Sequence, residues 1–240
     1  MCMDQRVLTP ELMDDAAIDP REHRRALRGL ARLNRLSRAH VSVARAVADL
    51  LRERSLPASD AILLDLAAGG GDLLLGVRDV IGRCACRGAA DVAADISPTA
   101  LEVAQGHARA RGHTVRTLRA DVLAAPLPID DSAVDVGVCS LFLHHLMPVD
   151  VVRVLAELAR VSRVGVVVSD LARSRLGLAM AFCAGRIVTR SRVVHVDSIK
   201  SVRAAFTREE LAEFAFRAGM KDAIIREVWP ERLLLTWRRA

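Results

Sequence analysis

A glycine-rich turn between an apolar run and an amphipathic segment is the first feature that could do chemistry. The segment Asp65–Asp72, DLAAGGGD, joins the run Ala61–Leu66 to the stretch Asp72–Ile81. Glycine is needed where a ligand approaches backbone that a Cβ would block, or where a turn requires positive φ. A strand, a glycine turn and a helix in this order are typical of a nucleotide site, although a tight turn that binds nothing could carry the same triple glycine.

Acidic residues follow the next two apolar runs at comparable positions. Asp95 ends one run, where a carboxylate could accept hydrogen bonds from ribose hydroxyls, and Asp121 follows the next. Asp121 could accept from an adenine amino group beside the apolar wall of Val122. Each acid taken singly also fits a solvated loop. Together with Asp65 they indicate a ligand, because ligands of open α/β sheets bind at the carboxyl ends of the strands.

Short apolar runs alternate with amphipathic stretches from Ala61 onward, which predicts βαβ units and a mostly parallel sheet. The predicted strands are Ala61–Leu66, Asp91–Asp95, Thr114–Arg119, Val134–Cys139 and Arg163–Ser169, and the predicted helices are Asp72–Ile81, Pro98–Arg111 and Asp150–Val161.

Two regions lie outside this alternation. In Arg21–Arg54 the leucines and valines recur at spacings of three and four, which predicts two helices, and we assign residues 1–57 to a helical lid. The stretch Leu171–Ala205 mixes apolar and basic residues without a regular period. We therefore predict one domain, 58–240, with a substrate-side insertion at about 171–206.

The C-terminal part has clear local signals. Thr207 and Glu210 form a capping box, which predicts a helix running to Ala218. The runs Ala223–Trp229 and Arg232–Trp237 are separated by a Pro-Glu pair, which predicts an antiparallel hairpin that completes the sheet.

On these residues the chain, from Ala61 to its C-terminus, resembles the class I S-adenosylmethionine-dependent methyltransferases, especially those similar to the menaquinone and ubiquinone biosynthesis enzymes. The resemblance implies a Rossmann-like sheet of seven mostly parallel strands, with the last strand antiparallel and helices on both faces. General class I proteins have glycine where Ala67 stands, and alanine is common there in the quinone-type branch. The resembling segments are Leu64–Asp72, Asp95–Ser97, Ala120–Val122, Asp130–Val136 and Leu143–Leu146.

The resemblance also implies S-adenosylmethionine as cofactor, with S-adenosylhomocysteine as product. A nicotinamide dinucleotide is the rival ligand, but the three glycines are adjacent, and acids such as Asp65 would repel a pyrophosphate. S-adenosylmethionine carries no phosphate and has a positive sulfonium and ammonium. The residues that would bind it are Asp65, Ala67, Gly69, Gly71, Asp72, Asp95, Ile96, Asp121, Val122 and Leu141.

Two adjacent histidines beyond the fourth strand are candidates for catalysis. His144 or His145 could remove the proton of an acceptor hydroxyl, since neutral imidazole is a suitable base near pH 7. Equally, one could be a buried hydrogen-bonded residue and the other a surface residue. The expected acceptor is a small hydrophobic, aromatic or phenolic metabolite, methylated on oxygen by preference and on carbon as second choice. Candidate acceptor-binding residues are Asn34, Arg35, Met180, His195 and Arg203.

Composition narrows the alternatives. The chain has 240 residues, 52% apolar and 27% charged, which fits a single α/β domain. Its net charge is +6, but no tyrosine is present to stack on bases, so a nucleic-acid partner is not favoured. An RNA or protein methyltransferase and a non-catalytic cofactor-binding module stay open.

Cysteine spacing and the N-terminus indicate the compartment. The five cysteines show no metal-ligand spacing, so we expect reduced thiols and no metal site. The acidic N-terminal stretch does not resemble a secretory signal, and no apolar run is long enough to span a membrane. We therefore expect a cytoplasmic protein, as a monomer or homodimer, that acts on a small-molecule acceptor.

Overall fold

The computed structural model describes residues 3, 5–15, 17–85, 90–124 and 126–240. Its strands are β1 (Leu63–Leu66), β2 (Asp91–Asp95), β3 (Val115–Arg119), β4 (Val134–Ser140), β5 (Ser162–Leu171), β6 (Ile224–Val228) and β7 (Arg232–Arg238). Its helices are α1 (Pro20–Ser37), α2 (Ala39–Glu53), α3 (Asp72–Ile81), α4 (Pro98–Arg111), α5 (Pro148–Val161), α6 (Arg175–Val188), α7 (Arg192–Ala204) and α8 (Arg208–Arg217).

The seven strands form one sheet in the order β3-β2-β1-β4-β5-β7-β6. Neighbouring strands from β3 to β5 are parallel, and β7 runs antiparallel to both β5 and β6. The predicted mostly parallel sheet with its last strand antiparallel is therefore confirmed. The strand order reverses between β1 and β4, and ligands of such sheets bind in the crevice at that point.

Helices cover both faces of the sheet, as the resemblance implied. On one face, α2 and α3 bury apolar side chains such as Val47 and Leu74 against Val136 and Val138 of β4. On the other, α5 and α8 pack residues such as Leu155 and Leu211 into a second core. Of the predicted N-terminal helical region, α2 therefore forms part of the layer over the sheet.

Local capping explains where α1 and α8 begin. The side chain of Asp19 accepts hydrogen bonds from the backbone N–H groups of Arg21 and Glu22, and Pro20 occupies the first turn of α1. The capping box of Thr207 and Glu210 begins α8 with both reciprocal hydrogen bonds present.

The segment without a regular period folds as the helix pair α6 and α7. These helices pack against each other and against α1 at the carboxyl edge of the sheet. Arg173, just before α6, donates to both carboxylate oxygens of Glu210 at 2.9 Å, which fastens this insertion to α8.

The structure bears on two features that the sequence analysis considered, the membrane spans and the cysteines. No helix in the described ranges is long and apolar enough to cross a membrane. Cys84, Cys139 and Cys183 are free thiols, whereas Cys2 and Cys86 lie outside the described residues.

Candidate functional site

The glycine turn leaves the end of β1 in a left-handed backbone conformation. Ala67, Gly69 and Gly71 have φ angles of 56°, 52° and 73°. At Gly71, where α3 begins, an added Cβ would lie 3.0 Å from the Cβ of Ala104, so the lack of a side chain lets α3 pack against α4. At Gly69 the nearest atom is Cδ2 of Leu27, at 3.7 Å. Helix α1 therefore lies over the turn.

A cavity of about 1140 Å³ opens at the switch point between β1 and β4. Its walls come from the glycine turn, the tip of β4 and helix α1. The sequence-predicted residues that line it are Asp65, Ala67, Gly69, Asp72, Leu141, Asn34 and Arg35.

Asp65 is the buried acid of this cavity. Its side chain is fully buried, and Oδ2 has no hydrogen-bond partner among the described residues. Burial, followed by the negative charge of Asp72, raises the pKa of the Asp65 carboxyl well above its usual value. A buried carboxyl with an unpartnered oxygen in a cavity wall suits a cationic ligand, and the sulfonium and ammonium of S-adenosylmethionine are of that kind.

Asp95 is bound to the glycine turn. Its two oxygens accept backbone N–H hydrogen bonds from Gly69 and Ser97, each at 2.8 Å. Burial raises its pKa, while these two bonds oppose the rise. Asp95 thus couples the tip of β2 to the turn, and its role toward a ribose stays a prediction.

The remaining predicted cofactor residues lie outside the cavity lining. Ile96 is exposed, and Asp121 is exposed with its carboxylate accepting the N–H of Leu123 at 2.9 Å. Val122 is buried in the core and Gly71 is packed against α4. Asp121 and Ile96 nevertheless follow the strand ends that the sequence indicated, so their contacts with an adenine stay predictions.

A second, apolar cavity of about 320 Å³ lies next to the first. It is formed by α1, α6, α7 and the residues after β4. Met180 lines it, and its contact with an acceptor stays a prediction. Asn34, Leu141, Val188 and Arg232 line both cavities, so the two share a wall.

Three predicted acceptor residues do not line this cavity, and one of them, Arg35, lines the larger cavity instead. The side chain of His195 lies against the segment that precedes α7, where its Nε2 is 2.7 Å from the carbonyl oxygen of Thr189. Arg203 lies at the end of α7, outside the lining of the cavity, and its carbonyl accepts from the N–H of Val7. Both lie on α7, on sides of the helix that do not contribute to the lining of this cavity, and their contacts with an acceptor stay predictions.

His144 and His145 both line the apolar cavity, and His144 is held more tightly. Its Nδ1 lies 2.6 Å from Oδ1 of Asp170, and its backbone N–H donates to Oδ2 of the same residue. Burial alone would lower the pKa of His144, but Asp170 and then Glu11 raise it to about 9. In turn, although burial would raise the pKa of Asp170, the His144 ring holds it below its usual value.

Glu11 completes a group that could hold a metal ion, which the sequence did not lead us to expect. Its carboxylate oxygens lie 3.7 Å from Nε2 of His144 and 3.9 Å from Nε2 of His145. One ligand atom from each residue falls within 4.8 Å of the others. Glu11 precedes α1 in a stretch with no motif, so no local signal indicated it.

Arg232 is the second functional candidate that sequence reasoning missed. Its Nη2 donates to Oδ1 of Asn34 at 2.8 Å, and Nδ2 of Asn34 donates to Oδ2 of Asp72 at the same distance. This chain of hydrogen bonds joins β7, α1 and α3. The available signal was a charged residue directly before the apolar run of three leucines in the strand RLLLTWR.

The glycine turn, the switch-point cavity and the strand order can be compared with those of known proteins. Residues 63–165 match the model of the methyltransferase domain family. Over that range the chain is similar in sequence to this family, and its seven-stranded sheet has the fold of solved S-adenosylmethionine-dependent methyltransferases.

Three known proteins are similar to this chain in sequence or in fold. The chain is 39% identical to demethylmenaquinone methyltransferase of Thermus thermophilus over 99 residues, which are 41% of each chain. It is similar in fold to a SAM-dependent methyltransferase from Aquifex aeolicus, with a TM-score of 0.61, 17% identity, and coverage of 93% of this chain and 100% of that one. Human N-acetylserotonin methyltransferase in complex with SAM gives a TM-score of 0.59, 16% identity, and coverage of 91% and 56% respectively. The match thus spans under half of the curated relative, and the two structures show the fold alone.

Proposed function

We propose that this protein transfers a methyl group from S-adenosylmethionine to a hydroxyl of a small, apolar, aromatic acceptor. The observation that carries the proposal is the shared wall between the two cavities. A polar cavity beside the glycine turn and an apolar cavity of about 320 Å³ meet at Asn34, Leu141 and Arg232. The smaller one has the size expected of a site for a small ligand.

The residues of the first cavity fit the cofactor. Asp65 supplies a buried oxygen without a partner for a positive group, and the open backbone at Gly69 allows close approach. When bound, the cofactor supplies an electrophilic methyl group on its sulfonium. In this proposal Asp65, Ala67, Gly69, Asp72 and Leu141 would surround the methionine part, and Asp95 with Asp121 would hold the adenosine.

The residues of the second cavity bind and orient the acceptor. Leu30, Leu33, Met180 and Val194 surround it with apolar surface that excludes water. Orientation beside a reactive methyl group is the main requirement of such a transfer.

His144 is the candidate base that accepts the proton of the acceptor hydroxyl. Its Nδ1 faces the Asp170 carboxylate, which leaves Nε2 directed toward Glu11 at the cavity wall. With the ring neutral, Nε2 can accept the hydroxyl proton, and Asp170 stabilises the imidazolium that forms.

The names of two relatives are consistent with a small-molecule acceptor. One is called demethylmenaquinone methyltransferase and another N-acetylserotonin methyltransferase. The identity of the acceptor of this chain is part of the proposal.

Parallel calorimetric titrations test the cofactor first. We expect S-adenosylmethionine and S-adenosylhomocysteine to bind and NAD not to bind. Methyl transfer to a panel of phenols is then followed by mass spectrometry, with His144→Gln as the inactive variant and exposed Asp222→Asn as the matched control. Binding of NAD alone would refute the proposal, and cofactor binding without transfer to any phenol would favour the non-catalytic module.

A further inference from the structure

Arg232 is a fully buried guanidinium without a carboxylate partner among the described residues. It is 5% exposed, its Nε has no hydrogen-bond partner, and its closest acceptors are neutral: Oδ1 of Asn34 at 2.8 Å and the hydroxyl of Ser140 at 3.5 Å. Burial lowers its pKa, while Asp170 and Asp72 at longer range oppose the change. A buried charge that lacks an opposite charge is costly, so such groups in proteins are paired or bind a ligand.

The position of Arg232 is that of a ligand-binding group. It is the first residue of β7, opposite Leu171 at the end of β5, and therefore stands at the carboxyl edge of the sheet where the two cavities meet. The hydrogen bond from Nη2 to Asn34 fixes the plane of the guanidinium from the side of α1.

The charges of the two cavities indicate which ligand Arg232 serves. The cofactor cavity is also lined by Arg28, Arg32, Arg35 and Arg111, so it does not lack cations. In the described lining of the apolar cavity, Arg232 is the only arginine and there is no lysine. The three carboxylates of that lining accept hydrogen bonds from other groups: Glu11 from Ser201, Asp197 from the backbone of Leu12 and Met13, and Glu231 from Ser174. An anionic oxygen that enters the apolar cavity would therefore find its guanidinium partner in Arg232.

We infer that Arg232 binds an anionic oxygen of the acceptor, so that the preferred acceptor is a small aromatic ring that carries a carboxylate in addition to its hydroxyl. This inference rests on the proposed function and specifies its substrate class. A carboxylate presents two oxygens to the fork of donors on a guanidinium, and the free Nε provides a donor for one of them.

The test compares salicylate with salicylamide, which are matched in shape and differ in charge, by calorimetric titration in the presence of saturating S-adenosylhomocysteine. Wild-type protein is expected to bind salicylate about tenfold more tightly or better, as charge-assisted hydrogen bonds would give. Arg232→Met is expected to abolish this preference, and Arg232→Lys to retain part of it. Arg238→Met, on the exposed end of the same strand, is the control and should behave as wild type.

Two results would overturn the inference. One is equal affinity of the wild type for salicylate and salicylamide. The other is a loss of S-adenosylhomocysteine affinity in Arg232→Met with the salicylate preference intact, which would assign Arg232 to the carboxylate of the cofactor. Circular dichroism and thermal unfolding of each variant establish that it is folded. Failure of the proposed function would appear separately, as wild-type protein that does not bind S-adenosylhomocysteine.

Discussion

Replacing Asp170 by asparagine should lower the pKa of His144 by more than about one unit. The ring is fully buried, and its pKa is raised from 6.5 to about 9 because Asp170, with Glu11, outweighs the opposing effect of burial. That rise corresponds to about 3 kcal/mol of preference for the protonated ring. The asparagine side chain would keep the shape of Asp170 and remove its charge. The lowering of the His144 pKa by burial would then be opposed only by Glu11.

The same pKa predicts how stability depends on pH. Because the folded-state value lies above the unfolded one, the stabilisation by protonated His144 is fully present below pH 6.5 and is lost as pH rises through about 9. For Asp170, whose pKa is lowered, the stabilisation is present above its unfolded pKa and is lost as pH falls through the folded-state value. Urea unfolding of wild type across pH 6–10 should show the loss at high pH, and His144→Gln should lack it.

Nuclear magnetic resonance of the histidine rings, in buffer with a chelator, measures the titration directly. We expect the wild-type His144 signal to titrate near pH 9 and the Asp170→Asn signal to titrate lower, with Asp222→Asn unchanged. If the proposed role in catalysis holds, kcat for a phenol rises with pH toward the same value, because only neutral imidazole accepts a proton. A wild-type ring that titrates near 6.5, or an Asp170→Asn ring that still titrates near 9, would refute the reasoning.

Three further predictions address the cofactor site and the core. Asp65→Asn should weaken S-adenosylmethionine binding by about tenfold or more, through the loss of a charge-assisted hydrogen bond; calorimetry measures this, and unchanged affinity would remove Asp65 from the site. Asp95→Ala should cost roughly 1.5–3 kcal/mol of cofactor binding, and the same titration would reject the ribose assignment if affinity persisted. Arg78→Met should destabilise the fold by about 3–5 kcal/mol in urea unfolding, because it leaves Asp91 buried without its two-pronged partner at 2.6 and 2.7 Å; a loss under about 1 kcal/mol would contradict this.

The cavity beside the glycine turn was predictable because its signals are local. The order of strand, glycine turn and helix indicated that Asp65 lies at the carboxyl end of a strand, and the alternation of apolar runs indicated the sheet. The two runs after α8 indicated the antiparallel hairpin, because strand period and turn residues are recognised within a few positions of each other. Each of these inferences needs no knowledge of distant contacts.

The apolar cavity was only partly predictable because its residues come together through tertiary packing. Met180 follows from the apolar character of its segment, but that segment has no regular period, so the directions of His195 and Arg203 on α7 could not be assigned. The sequence marks Arg232 only as the start of a strand, and the sheet order is needed to show that this start lies at the functional edge.

The apolar cavity depends on the chain segment before α1, which contributes Glu11 to its wall. Arg6 donates to the carbonyls of His144 and Leu146 at 2.8 and 2.7 Å, and its guanidinium lies 4.1 Å from the ring centroid of Phe206. These contacts hold the N-terminal segment against the loop that carries the histidines, which brings the Glu11 carboxylate to its position between them. Removing residues 1–10 should therefore alter the apolar cavity and lower the pKa of His144, while the larger cavity beside the glycine turn stays intact. The expected result is that the truncated protein keeps its affinity for S-adenosylhomocysteine while the pKa of His144 falls. Loss of S-adenosylhomocysteine affinity with an unchanged His144 pKa would contradict this prediction.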